Sequence, residues 1–155
     1  MSMVELRVEA VAIDWKGNPI IVLRELGGPR KIFIWVGLPE ATAISMHLEG
    51  QDAPRPLTHD LIGLILTRLG ARVDQVTITD MQNNTYYAEL HLETSDRVET
   101  IDCRPSDAIA VALRAEAPIL IDNDLLGTLD EARREATVDL SPNATVVDSG
   151  EPTVH

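Results

Sequence analysis

A shift of 67 residues lays the first half of this chain on the second. Under it Gly17 falls on Asn84, Leu23 on Leu90, Ile34 on Ile101, Glu40 on Asp107, Ala41 on Ala108 and Ala43 on Ala110. The repeated unit is a β-hairpin, a third strand and a helix. It occurs twice without gaps, although identity between the copies is slight. The fold class that follows is α+β, with mixed or antiparallel sheets and packed helices. It is built by internal duplication of a β-β-β-α unit with one inserted helix. Duplication also puts Glu40 and Asp107 in matching first turns of two related helices, where a pseudo-two-fold would bring both to one seam.

The elements follow from local pattern. Val4 to Ile13 and Ile20 to Leu23 are β-branched and apolar, and the turn Trp15-Lys16-Gly17-Asn18-Pro19 joins them as a hairpin. Lys31 to Val36 is a third strand, and Pro39 opens a helix that Gly50 stops. The inserted helix spans Thr58 to Leu69, with Ile62, Ile65, Leu66 and Leu69 as its expected buried face. The second copy has strands Arg72–Thr79, Thr85–Glu93 and Val98–Cys103, then an apolar helix, Ser106–Arg114. A short strand, Ile119–Ile121, precedes one helical turn at Asp122–Leu126 and a surface helix at Leu129–Ala136. Residues 1–136 read as one domain, and 137–155 as an acidic tail expected to be disordered.

Charge limits the partners. Thirteen Lys and Arg stand against 25 Asp and Glu, a net charge of -12. Such a field repels a polyanion unless basic residues are gathered in one place or a divalent cation intervenes. That argues against a simple DNA-binding module, and less strongly against an enzyme that touches nucleic acid briefly at one cleft. Aromatic residues are only 3%, so the core is aliphatic. Cys103 is the only cysteine, which excludes an intrachain disulfide and points to an inert buried thiol. No secretory leader pattern and no apolar run of membrane-spanning length is present, so the cytoplasm is the expected location and no membrane partner is expected.

Two motifs echo one another: Arg55-Pro56-Leu57-Thr58-His59-Asp60-Leu61 and Arg104-Pro105-Ser106-Asp107-Ala108. Thr58 and Ser106 are candidate N-caps, and an acid in the first turn suits the helix dipole. The bland reading is two well-capped helices with surface arginines. The functional reading is one shared site. Arg55 and Arg104 would grip an anion through paired guanidinium bonds, with helix-terminal amides and the Thr58 and Ser106 hydroxyls helping. His59 at a helix start suits a base or a metal ligand, though a half-buried structural histidine is as good a description. Asp102 interrupts the apolar strand Ile101-Asp102-Cys103, so a buried carboxylate paired with Arg104 or with a metal is expected there.

These motifs, together with Glu40-Ala41-Thr42-Ala43-Ile44, Tyr87-Ala88 and Asp102-Cys103, carry a resemblance. Over about residues 4 to 135 the chain resembles the bifunctional nuclease family of bacteria and plants, described as having both DNase and RNase activity. Cys103 is a mild departure, because the family more often has a small residue such as Ala there. The resemblance implies an α+β fold with a mixed sheet, a homo-oligomer (dimer or larger), and nucleic acid as a transient substrate. It supplies an activity class and no settled catalytic residues. An enzyme that cuts DNA as well as RNA cannot use the 2′-hydroxyl as nucleophile, so water must attack. The expected catalytic set is His59, Asp60, Asp107 and Glu40, with Arg55, Arg104, Thr58 and Ser106 binding the substrate. Asp60, Asp102 and Asp107 would form an oxygen site for a divalent cation, Mg or Mn. The alternative is a non-catalytic module that binds an anion or a protein partner in regulation or assembly.

Overall fold

The structure is a computed structural model that describes residues 2–136 and 147–148. The strands are β1 (Met3–Ile13), β2 (Pro19–Glu25), β3 (Lys31–Trp35), β4 (Arg72–Gln82), β5 (Thr85–Glu93), β6 (Val98–Cys103), β7 (Ile119–Asp122) and β8 (Val147–Asp148). The helices are α1 (Leu38–Leu48), α2 (Thr58–Arg68), α3 (Pro105–Ala115) and α4 (Asn123–Glu135). The class is α+β, as the element pattern predicts. The tail expected at 137–155 lies outside the described residues, apart from β8, which pairs antiparallel with β1 at Ala10 and Val11.

Strand order carries the duplication into three dimensions. The path is β3-β2-β1-β7-β4-β5-β6, with β7 at the centre. β7 runs antiparallel to β1 and parallel to β4, so β1 and β4 point in opposite directions. The antiparallel triplets β1-β2-β3 and β4-β5-β6 extend outward from the middle in mirrored order. A pseudo-two-fold normal to the sheet requires that arrangement. Under the 67-residue shift α1 falls on α3 end to end.

Local chemistry explains the corners. Gly17 (φ +85°) closes the first hairpin, and the Asp14 carboxylate accepts from the amides of Lys16 at 2.9 Å and Asn18 at 2.8 Å. The equivalent turn in the second copy is the pair Asn83 and Asn84, both at positive φ (51° and 63°). Two such residues between strands twist the way a tight hairpin needs.

The main core lies where the sheet meets α1, α3 and α4. In α3 Pro105, Ser106 and all of Ala108 to Ala112 are buried, so it is the central helix expected from its apolar sequence. α2 is different: His59 is its only buried residue. Ile62 and Leu66 are half-buried, but Ile65 and Leu69 are exposed, together with Leu57, Leu61 and Leu64. The buried face expected for α2 is therefore only half right. The helix rests edgewise on α3 and turns a row of leucines outward.

Three expectations about helix ends change. The N-cap of α2 is Leu57 and that of α3 is Arg104, so Thr58 and Ser106 lie inside the helices and cap nothing. Pro105 begins α3 because a helix start has no need of its missing amide hydrogen. In α2 one capping bond survives, from the Leu57 amide to Asp60 Oδ2 at 2.9 Å. The expected turn and surface helix after β7 are a single helix, α4. Asp122 caps it by accepting from the Asp124 and Leu125 amides, and Leu126 and Leu129 bury its inner side.

Candidate functional site

The first turns of α1, α2 and α3 meet at one seam. Each contributes a charged or titratable side chain: the acids of α1 and α3 share one guanidinium, and the imidazole of α2 joins through the α3 acid. Arg104 Nε donates to Asp107 Oδ2 at 2.8 Å, and Arg104 Nη2 to Glu40 Oε1 at 2.8 Å. The other oxygen of Asp107, Oδ1, lies 3.0 Å from His59 Nε2. The order is His59, Asp107, Arg104, Glu40, across elements far apart in sequence. Glu40 and Asp107 are the pseudo-symmetric pair, and they hold one arginine between them.

These residues line an open cleft of about 790 Å³ with Thr58, Pro56 and others. The side chains of His59 and Glu40 are 9% and 12% exposed, whereas that of Arg104 is 67% exposed. The imidazole and one carboxylate are therefore fixed by packing, while the guanidinium reaches into solvent. Asp107's hydrogen bond and charge, and then Glu40's, hold the Arg104 guanidinium even more firmly protonated than usual. His59 Nδ1 makes no hydrogen bond among the described residues. The arrangement can hold an imidazole by one nitrogen, offer the other, and place a cation beside it.

Four expected site residues stand elsewhere. Asp60 is turned toward α3: Oδ1 accepts from Arg114 Nε at 2.6 Å and Oδ2 from the Leu57 amide at 2.9 Å. The Leu57 amide and then the Arg114 guanidinium hold its carboxyl below the usual range. Asp102 is exposed, because β6 is the sheet edge and presents most of its residues to solvent. The expected burial and pairing with Arg104 do not occur. Ser106 is buried and lines a neighbouring cavity. Arg55 is exposed, next to the cleft-lining Pro56, with no ion pair among the described residues.

The expected oxygen site for a divalent cation is not assembled. Among the described residues no group of three or more His, Cys, Asp or Glu side chains has the spacing to hold a metal ion. Asp60 faces Arg114, Asp102 faces solvent, and the place between Glu40 and Asp107 is taken by Arg104. The donors present do not fit the cation as arranged.

Arg114 is the residue that sequence reasoning missed. Besides Asp60 it donates to Ala110 O at 2.9 Å and Ala43 O at 3.1 Å, and so locks α2 and α1 onto α3. Its one signal was position: a cation at the end of an otherwise apolar helix needs an acid from another element. Cys103 is half-buried, and burial with the nearby Asp102 and Asp107 charges pushes its thiol up to about 11. It is the inert thiol expected.

Comparisons with known proteins agree on one family. The profile of the bifunctional nuclease domain matches residues 21–133. An uncharacterized protein of Mycobacterium tuberculosis is 41% identical over 141 residues, covering 87% of this chain and 84% of its own length. Bifunctional nuclease 2 of Oryza sativa is 31% identical over 112 residues, 70% of this chain and 34% of the plant protein. Bifunctional nuclease 1 of the same species is 38% identical over 72 residues, 44% of this chain and 22% of the relative. The matched region thus spans about a third or less of these plant proteins.

Proposed function

We propose that this chain, which belongs to the bifunctional nuclease domain family, hydrolyses phosphodiester bonds of DNA and RNA at the seam where α1, α2 and α3 begin. The observation that carries the reading is the connected set His59–Asp107–Arg104–Glu40 on the wall of an open cleft. Water is the nucleophile, since a DNA substrate has no 2′-hydroxyl to offer. His59 takes the proton as the water oxygen bonds to phosphorus, and Asp107 orients the ring. The P–O bond to the departing sugar oxygen breaks, that oxygen receiving a proton from the imidazolium or from solvent. Arg104 faces the phosphate, releasing Glu40 as the new anion arrives, and Arg55 at the rim guides the strand. Each of these steps uses the chain's own side chains. No helix among the described residues is long and apolar enough to cross a membrane.

The test is cleavage of single- and double-stranded DNA and RNA, with and without chelator. Asp107→Asn and His59→Ala are each expected to lose more than tenfold in rate with folding intact, and Arg55→Ala to weaken binding. Unchanged rates in the first two would overturn the reading, and the chelator arm reports any need for a cation.

A second reading has one observation in its favour. Leu57, Leu61, Leu64, Ile65 and Leu69 leave an apolar strip exposed on α2, beyond what a solitary domain needs. On this reading the chain is an anion- or protein-binding module for assembly. The homo-oligomer implied by the family is compatible with both readings, and the α2 strip is the surface a second copy would cover. Self-association with no hydrolysis of any of the four substrates would favour the second reading.

A further inference from the structure

Arg104 lines two cavities. Beside the proposed catalytic cleft lies a smaller one of about 370 Å³, whose walls include Trp35, Tyr86, Asn84, Thr85 and Ser106. That volume is at the lower end of ligand pockets, roughly 300–1,000 Å³. The chain has five aromatic residues in 155, and two of them meet here. Trp35 closes edge strand β3 and is 48% exposed. It is not loose: its Nε1–H donates to Asp14 Oδ2 at 3.1 Å, and Asp14 is itself anchored by the Lys16 and Asn18 amides. An indole held by one edge, with half its surface in water, is a positioned platform more than a core residue. Asn84, in its left-handed turn conformation, lines the same cavity.

We propose that this second cavity seats a nucleobase next to the phosphate held at Arg104, with Trp35 as the stacking surface and Asn84 as the polar contact. Every base has a π-face, so stacking of this kind tolerates any sequence. An amide offers both a donor and an acceptor, which suits the edges of all the bases. A base in this pocket has left any duplex, so the preferred substrate is a single strand or an unpaired end. The inference rests on the nuclease reading for the phosphate at Arg104, but the cavity stands on its own geometry.

The test uses the two tryptophans. Trp15 is 68% exposed and does not line the cavity, so Trp15→Phe leaves Trp35 as the sole indole reporter. In that background, with His59→Ala added to prevent turnover, a short single-stranded oligodeoxynucleotide is titrated against an abasic oligomer of equal length. Saturable quenching by the first and little by the second is expected. Equal quenching by both, or none, overturns the proposal. In the otherwise native chain Trp35→Ala is expected to raise KM for single strands about tenfold, with kcat and duplex cleavage little changed. Trp35→Phe, which keeps a ring, should recover most of that loss, and Asn84→Gly, which keeps the turn, should give a smaller rise in KM. If the wild-type chain cleaves nothing yet Trp35 still distinguishes base-bearing from abasic oligomers, the subsite stands and the nuclease reading falls. If cleavage is normal and Trp35→Ala leaves KM unchanged, the subsite alone falls.

Discussion

His59 Nε2 lies 3.0 Å from Asp107 Oδ1, and the other oxygen of that carboxylate is committed to Arg104. One acid therefore fixes the imidazole and the cation at once. Residues that act as a unit lose their function together, so their separate losses do not add. His59→Ala and Asp107→Asn are each expected to lower kcat more than tenfold. The double variant should be no more than about twofold worse than the poorer single one. A multiplicative loss, measured in the same cleavage assay, would mean that the two act independently.

If Arg104 takes the phosphate as proposed, Glu40, which holds the same guanidinium at 2.8 Å, competes with substrate for it. Glu40→Gln removes that competitor while keeping the side chain's length, and is expected to lower KM severalfold. Gly37→Ala should act in the same direction without changing charge. Its φ of -73° suits any residue, but an added Cβ would run into the Glu40 carboxylate and push it from its place. A higher KM in both would show instead that Glu40 holds Arg104 in its working position.

Pairing of Glu40 with Asp107 was legible in the chain because duplication fixes equal offsets, and equal offsets put both acids at the same turn of related helices. His59 was legible from its place at a helix start. The match failed at Asp60 because its carboxylate, about 100° round the helix from His59, is taken up by Arg114 of α3 and the Leu57 amide. It failed at Asp102 because only strand order reveals that β6 is an edge, and an edge exposes what a central strand would bury. Thr58 and Ser106 were misplaced as caps because the helices begin earlier than their hydroxyl residues suggest. Arg114 escaped notice because its partner lies 54 residues away and on another helix.

Arg114 is structural, and its loss should separate stability from chemistry. Arg114→Met fills similar space but takes the guanidinium from Asp60 Oδ1, which keeps only the Leu57 amide on its other oxygen, and removes the extra bonds to the helical carbonyls of Ala43 and Ala110. The expected cost is about 2 kcal/mol by urea denaturation. In the cold, where the chain remains folded, kcat should be within about twofold of wild type, since the bonds linking His59, Asp107, Arg104 and Glu40 are all kept. A tenfold loss of kcat at full folding would put Arg114 in the catalytic set.

Acid should unfold the chain through a few identified carboxylates. At Asp130 burial alone would raise the pKa, but the Lys31 amide and the Arg133 and Arg134 guanidiniums outweigh it and leave the value lowered from 3.8. Asp60 is also lowered, chiefly by the Leu57 amide, and Glu25 chiefly by Arg30. A folded value below the unfolded one means stability that is fully present above the unfolded pKa. It drains away as pH falls through the folded value. Thermal midpoints should therefore hold steady down to about pH 5 and drop below about pH 4. Asp130→Asn should lower the midpoint at neutral pH and flatten the acid limb, and an unchanged limb would remove Asp130 from the account.

The outward strip of α2 decides whether the chain works alone. Ile65 is 48% exposed and Leu61 51%, so a glutamate at either position meets water in the isolated chain and costs little stability. If a second copy covers the strip, each new charge is buried at the interface without a partner, a penalty that far exceeds the loss of one apolar contact. Ile65→Glu and Leu61→Glu are expected to shift sedimentation from an oligomer to a monomer with thermal midpoints nearly unchanged. A wild-type chain that already sediments as a monomer at micromolar concentration would leave the strip without a second copy to cover it. Cleavage by Ile65→Glu, the variant of the two that leaves the cleft lining untouched, would then show whether the cleft needs the oligomer at all.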